Sequence, residues 1–247
     1  MRVAITGAAG FFGRRLTAFL LASGHYVRAS DVHPIDCDAV DVLDAGAMKG
    51  LCDGMDRVVH LARALRRQDS PVAAEDGRLL DTALKGTWNI LHAAREAGVP
   101  QVVQVSDVCI YAGYDDEDIL SEDMVALPDT SAEQQAIHLA EGVAHEFARE
   151  VPGSVLTLRL GRLVDATDLP ADAPFDRDWL DSGDAVAAIA RGLELDTYDH
   201  PSHWGLYNLV AYTPYRRFAL RIMDGRFAFS PSVDFRAWWP NPEEPSR

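Results

Sequence analysis

Lysine is almost missing from this chain of 247 residues: Lys49 and Lys85 are the only two, and none follows residue 85. Chemistry that needs a lysine amine in the second half is thereby excluded. Cysteine is nearly as scarce. Cys37, Cys52 and Cys109 are scattered and form no CxxC, which excludes a disulfide framework and a thiolate metal site. A reducing, cytoplasmic compartment is the expectation. No run of 18 apolar residues occurs, so no membrane span is expected. The opening, Arg2 to Thr6 followed by glycines, lacks the basic and apolar regions of a signal peptide. With 23 basic against 38 acidic residues the net charge is −15, and so acidic a surface repels nucleic acid and anionic membrane alike. Glycine (18) and proline (13) are too few for a low-complexity chain.

What is present is an alternation of short apolar strands and amphipathic helices. Strands are predicted at Val3 to Thr6, Tyr26 to Ser30, Ala39 to Val42, Val58 to Ala62, Gln101 to Ser106, Ser154 to Leu160 and Gly205 to Val210. Helices are predicted over Phe11 to Ser23, Asp76 to Ala97 (with Leu80, Leu84, Trp88 and Leu91 on its apolar face), Ser131 to Glu150, Ser182 to Leu195 and Pro214 to Met223. This order predicts an α/β fold, a doubly wound parallel Rossmann sheet with helices on both faces. The regularity weakens after residue 160. The expected organisation is therefore a nucleotide-binding region over 1–160, a small C-terminal substrate lobe over 161–240 packed on it, and a frayed tail over 241–247.

Thr6-Gly7-Ala8-Ala9-Gly10-Phe11-Phe12-Gly13 stands between the first strand and the first helix. Gly7 permits a tight turn, Gly10 lets backbone approach a pyrophosphate and Gly13 allows close helix–strand contact. The helix N-terminus offers free N–H groups and a positive dipole end to phosphate. Asp31 ends the second strand, where a carboxylate accepts from ribose hydroxyls and repels a 2′-phosphate. NAD is thus favoured over NADP, although His33 and Arg28 keep NADP open.

Further motifs resemble those of the extended short-chain dehydrogenase/reductases, the NAD-dependent epimerase/dehydratase group. The glycine turn is similar to that family's TGxxGFxG. Asp41-Val42 resembles its adenine-contacting pair, and Val58-Val59-His60-Leu61-Ala62 its VVHLAA segment. Gly86 to Leu91 resembles its GTxNxL helix, Ser106 to Tyr111 its SSxxVYG segment and Leu158 to Arg162 its LRPGR strand. The resemblance implies a cofactor site made by Gly7, Gly10, Phe11, Phe12, Gly13, Asp31, Asp41, Val42, Leu61, Ala62, Arg63 and Val105, with Tyr111 and Arg162 toward the substrate. It also implies a homodimer through the two long helices. The short C-terminal lobe resembles the uronate-dehydrogenase-like branch.

The chain departs from that family at its chemistry. The family uses Ser or Thr with a Tyr-x-x-x-Lys pair, the lysine and the nicotinamide cation lowering the phenol pKa so that it takes the substrate proton. No YxxxK occurs here. Aligned on Glu141, Glu133 falls at the Tyr position and Ile137 at the Lys position, while Asp107 stands at the Ser/Thr position beside Ser106. The candidate acid/base set is therefore Ser106, Asp107 and Glu133, with the two carboxylates expected to share a proton and so raise one pKa. Two functions follow: an NAD-dependent oxidoreductase acting on a sugar or sugar acid, or an NAD(H)-binding sensor, regulator or subunit without turnover.

Other groups weigh less. His138, Glu141 and His145 lie on one helix at i, i+3 and i+7, but surface histidines are the commoner reading and no metal is expected. Asp115 to Asp118 lacks calcium-loop spacing. Trp238 and Trp239 could stack on a sugar or pin the C-terminal segment. Arg162, Arg216 and Arg217 could grip an anion or make surface ion pairs.

Overall fold

A computed structural model describes residues 1–241 except 65, 68–69, 151–152, 196–202 and 226. Among these residues the strands β1 (Arg2–Thr6), β2 (Tyr26–Asp31), β3 (Asp38–Ala39), β4 (Arg57–His60), β5 (Gln101–Asp107), β6 (Ser154–Leu160) and β9 (Trp204–Leu209) form one parallel sheet of order β3-β2-β1-β4-β5-β6-β9. A second parallel pair joins β7 (Arg162–Val164) to β8 (Trp179–Asp181). The chain order reverses across β1, between β2 and β4. That is the crevice where doubly wound sheets bind ligands.

The sheet is buried on both sides, and the strands show it by alternation. Val3 and Ile5 turn to one face, against Leu16 and Leu20 of α1 (Phe11–Ala22) and Ile189 and Leu193 of α5 (Ser182–Glu194). Ala4 turns to the other, with Met48 and Leu51 of α2 (Ala45–Cys52), Ile90 and Leu91 of α3 (Val72–Glu96) and Ala144 of α4 (Ala132–Glu150). Each face removes a continuous apolar layer from water, which is the main favourable term in folding such a sheet.

Four expectations need correction. The helix expected over 214–223 is instead irregular chain with a turn at Pro214 and Tyr215 and a 3-10 turn at Arg221–Met223. Phe218, Leu220 and Ile222 are all buried, a period of two rather than 3.6, and Phe218 pairs with Leu120. On α3 the buried stripe runs through Leu79, Gly86, Thr87, Ile90, Leu91 and Ala94, and Trp88 is 54% exposed. Gly86 sets this register, because a Cβ there would lie 2.7 Å from Val42 Cγ2. The short helix α2 is masked in the sequence by Gly46 and Gly50 and is started by Asp44, whose carboxylate accepts from Ala47 N–H at 3.0 Å. Beyond residue 160, β9 and α5 complete the main sheet and its cover, and Phe218, Leu220, Ile222 and Phe227 join the same core, so the separate lobe shrinks to a small cluster around Trp179, Ala211 and Phe235. In that lobe Trp238 donates to the Pro170 carbonyl at 2.8 Å and Trp239 to that of Asp234 at 2.6 Å, with Trp238 edge-on to Trp179. Both rings pin the C-terminal segment. Of the expected tail, 242–247 lies outside the described residues.

Candidate active site

The glycine turn is shaped by contact. Gly7 has φ +75, which favours glycine, and a Cβ there would stand 2.8 Å from Ala62 N. A Cβ on Gly13 would lie 2.3 Å from the Gly7 carbonyl, so α1 can pack this close only with glycine. Gly10 differs, because its nearest contact would be an ordinary 3.5 Å. Its missing side chain leaves space on the cleft side instead. Gly10 is the N-cap of α1 with no side-chain cap, and no acidic residue stands in the first turn. The first N–H groups and the positive end of the helix therefore face the cleft unneutralised, as a phosphate site requires.

Asp31, at the end of β2, accepts from Ala9 N–H at 3.1 Å and from His33 N–H at 2.9 Å. These bonds aim its carboxylate over the turn. His60, at the end of β4, is buried and lies 2.7 Å from Thr6 Oγ1 through Nδ1 and 3.2 Å from Thr87 Oγ1 through Nε2. Burial pushes its pKa down to about 4, so the ring is neutral and bridges β1 to α3. Thr6 Oγ1 in turn accepts from Ala62 N–H at 3.4 Å.

From the glycine turn a cleft of 620 Å³ runs over the ends of β1, β4 and β5 to α4 and β7. Phe11, Phe12, Leu61, Ala62 and Val105 line its first part, and Arg63, Ser106, Asp107, Glu133 and Arg162 its far end. Of the residues expected at the site, Asp41, Val42 and Tyr111 do not line this cleft. Asp41 caps its own turn through Leu43 N–H at 2.9 Å, and Val42 is buried against α3, its carbonyl accepting from Asn89 at 2.9 Å. Tyr111 is 1% exposed. Its hydroxyl donates to the Ser121 carbonyl at 3.0 Å and accepts from Arg159 Nη1, so it belongs to the core beneath the cleft.

At the far end Ser106 donates to Glu141 of α4. Arg159 of β6 clamps the same carboxylate, its Nε at 2.9 Å and Nη2 at 2.6 Å. Glu141 and Arg159 are both 4% exposed, a buried charged pair whose members satisfy each other. Ser106 lines the cleft with its hydroxyl held by Glu141. Asp107 caps the 3-10 turn after β5 through Cys109 N–H at 2.9 Å and pairs with Arg63 at 3.1 Å. Glu133, in the first turn of α4, is clamped by Arg66 through Nε and, at 3.0 Å, through Nη2, and Arg66 also reaches Asp76 of α3 at 2.5 Å. The shared-proton pair expected of Asp107 and Glu133 is therefore corrected: each carboxylate has its own guanidinium. The hydrogen bond from Arg66 holds the Glu133 carboxyl below the usual range rather than above it. Burial, with Asp107 nearby, pushes the Cys109 thiol up, so it stays protonated and unreactive.

Arg66 is a cleft residue that sequence reasoning misses. Its partner is 67 residues away, and no local pattern announces such a pairing. Arg162 pairs with Asp176 at 2.9 Å and is 72% exposed. Of the three groups weighed as metal ligands, Glu141 is bound to Arg159 and Ser106, while His145 stacks on Trp204 and contacts Glu146.

A model of the NAD dependent epimerase/dehydratase family matches residues 3–166, and this span holds the glycine turn, Asp31, Ser106 and Glu133. The chain belongs to that family. NAD is the family's cofactor, and the uncapped helix start with its glycine cradle fits the dinucleotide. The chain is similar to a uronate dehydrogenase from Agrobacterium tumefaciens, with a TM-score of 0.80 and 21% identity over 96% of this chain and 86% of that one. It is also similar to a short-chain dehydrogenase/reductase superfamily protein from the same organism with bound NAD, with a TM-score of 0.78 and 20% identity over 96% and 94%. At these identities the likeness is one of fold. A 3 beta-hydroxysteroid dehydrogenase/Delta 5-->4-isomerase of Mycobacterium tuberculosis is 33% identical over 122 residues, which are 45% of this chain and 33% of that protein. The match thus spans about a third of that relative's length. No helix among the described residues is long and apolar enough to cross a membrane.

Proposed function

We propose that this protein is an NAD-dependent oxidoreductase of a small hydroxylated substrate, a sugar or sugar acid, with a non-standard acid/base set. The observation that carries the reading is the continuity of one cleft, from the dinucleotide turn and Asp31 to Ser106, Asp107 and Glu133. When bound, NAD supplies the hydride acceptor. Ser106, oriented by Glu141, accepts a hydrogen bond from the substrate hydroxyl. Glu133 and Asp107 are the groups able to take a proton, and Arg63 and Arg66 fix their positions. Leu79, Ala136 and Ile137 add an apolar wall to the cleft. The uronate dehydrogenase among the similar structures supports a sugar acid.

The test is absorbance at 340 nm with NAD⁺ and a panel of sugars and uronic acids, for the wild type and Glu133→Gln. The reading expects substrate-dependent NADH formation that falls by about 10²-fold or more in the variant. Turnover unchanged in Glu133→Gln overturns the acid/base assignment.

One observation favours a second reading, a dinucleotide-binding regulator or subunit without turnover. Each carboxylate at the far end of the cleft is tied to an arginine, and, aligned on Glu141, Glu133 and Ile137 fall where the resemblance implies Tyr and Lys. NAD binding with no turnover on the whole panel would select it. Either protein would work in the cytoplasm, consistent with free Cys37, Cys52 and Cys109, and as a homodimer through α3 and α4, where Trp88 and Leu139 are exposed.

A further inference from the structure

Arg63 and Arg66 enter the cleft from the segment after β4, three residues apart, and both line it. Their partners stand across from them. Asp107 ends β5 and Glu133 starts α4, respectively 44 and 67 residues away in sequence. These ion pairs therefore span the reacting end of the cleft rather than bracing a local turn. They are also accessible: the arginine side chains are 51% and 33% exposed, and those of Asp107 and Glu133 30% and 41%. The Arg63–Asp107 contact is an exposed single-bond pair of the kind that exchanges with little cost, whereas Arg66 is held by Glu133 through two donors and by Asp76 as well, so its exchange demands a ligand carboxylate of matching fork geometry. Arg63 spends a single N–H on Asp107, and Arg66 engages only Nε and Nη2 among the described residues, so both keep donors free.

We propose that Arg63 and Arg66 form an exchangeable anion site, in which the carboxylate of a small substrate takes the guanidinium groups from Asp107 and Glu133. The proposal rests on the oxidoreductase reading above and names the part of the substrate that this end of the cleft holds. A guanidinium fork matches a carboxylate in geometry and charge, and Asp107 and Glu133 already hold the places that a ligand carboxylate would take. Three carboxylates, Asp107, Glu133 and Asp76, stand around these two guanidinium groups, so an anion enters by displacing a carboxylate rather than by meeting free positive charge. Exchange also changes the neighbours. Glu133 loses the hydrogen bond that holds its carboxyl low and so becomes a better proton acceptor. The substrate's own charge then frees the group that serves it.

The experiment is a calorimetric titration of NAD-saturated protein with D-glucuronate, D-glucose and inorganic phosphate, after each variant has been titrated with NAD⁺ alone. Glucuronate is expected to bind and glucose to bind at least about tenfold more weakly. Arg66→Gln should weaken glucuronate by about tenfold or more while leaving NAD⁺ binding unchanged, and Arg63→Gln should weaken glucuronate by about tenfold or more in protein kept saturated with NAD⁺. Glu133→Gln should move the other way and tighten glucuronate, because the internal competitor is gone. If Arg66→Gln does not fold by circular dichroism, Arg63→Gln decides, since it breaks only an exposed pair. Equal binding of glucuronate and glucose, unchanged glucuronate affinity in the folded variants, or binding of phosphate alone overturns the anion site. A wild type that fails to bind NAD⁺ overturns the oxidoreductase reading instead, so the two failures are separable.

Discussion

His60 shows how a single residue in this fold couples position to pH. It is buried between two threonine hydroxyls, and its pKa falls to about 4. In the unfolded chain it titrates near about 6.5, so the unfolded state binds the extra proton in the interval between. The contribution to stability is complete above the unfolded value and is lost as pH falls toward 4, at most about 3 kcal/mol. Urea unfolding at pH 7.5 and pH 5 should show this loss in the wild type and little of it in His60→Gln; equal losses would contradict the account. Glu141 makes a second case. Removing it strands the buried Arg159 guanidinium and releases Ser106, and Glu141→Ala is expected to cost about 3–5 kcal/mol of stability, read from the denaturation midpoint. Neither role is written in the local sequence. Glu141 is one more acidic residue on an amphipathic helix until the fold brings β6 beneath it.

At the scale of elements, what is legible depends on whether the signal is local. The turn from Gly7 to Gly13 and the strands around it follow from spacing and hydrophobic runs, and they stand where expected because strand, turn and helix start are consecutive in the chain. Pro214 misleads. Proline opens helices well, yet here Phe218, Leu220 and Ile222 answer to the core in alternation, and pairing with Leu120, almost a hundred residues earlier, decides their conformation. Trp88 misleads in the same way, because its bulk suggests burial where Gly86 and Thr87 make the contact. The same locality governs the site. The glycine turn and Asp31 at one end of the cleft come from one stretch of sequence, whereas the far end depends on Arg63–Asp107 and Arg66–Glu133, pairs that exist only after β4, β5 and α4 have assembled.

For the whole molecule, both faces of the sheet are covered by helices and the cleft lies at the point where strand order reverses, with the start of α1 aimed into it. The account stands on dinucleotide binding there. Calorimetric titration of the purified protein with NAD⁺ and NADP⁺, alongside Gly10→Ala, tests it most directly. A methyl group added at Gly10 meets nothing closer than 3.5 Å within the protein, so the variant should fold as the wild type does. The expected result is NAD⁺ binding in the micromolar range, NADP⁺ weaker by about tenfold or more through repulsion from Asp31, and NAD⁺ affinity reduced by about tenfold or more in Gly10→Ala. No nucleotide binding, NADP⁺ binding as tight as NAD⁺, or a Gly10→Ala protein that binds NAD⁺ unchanged would contradict it.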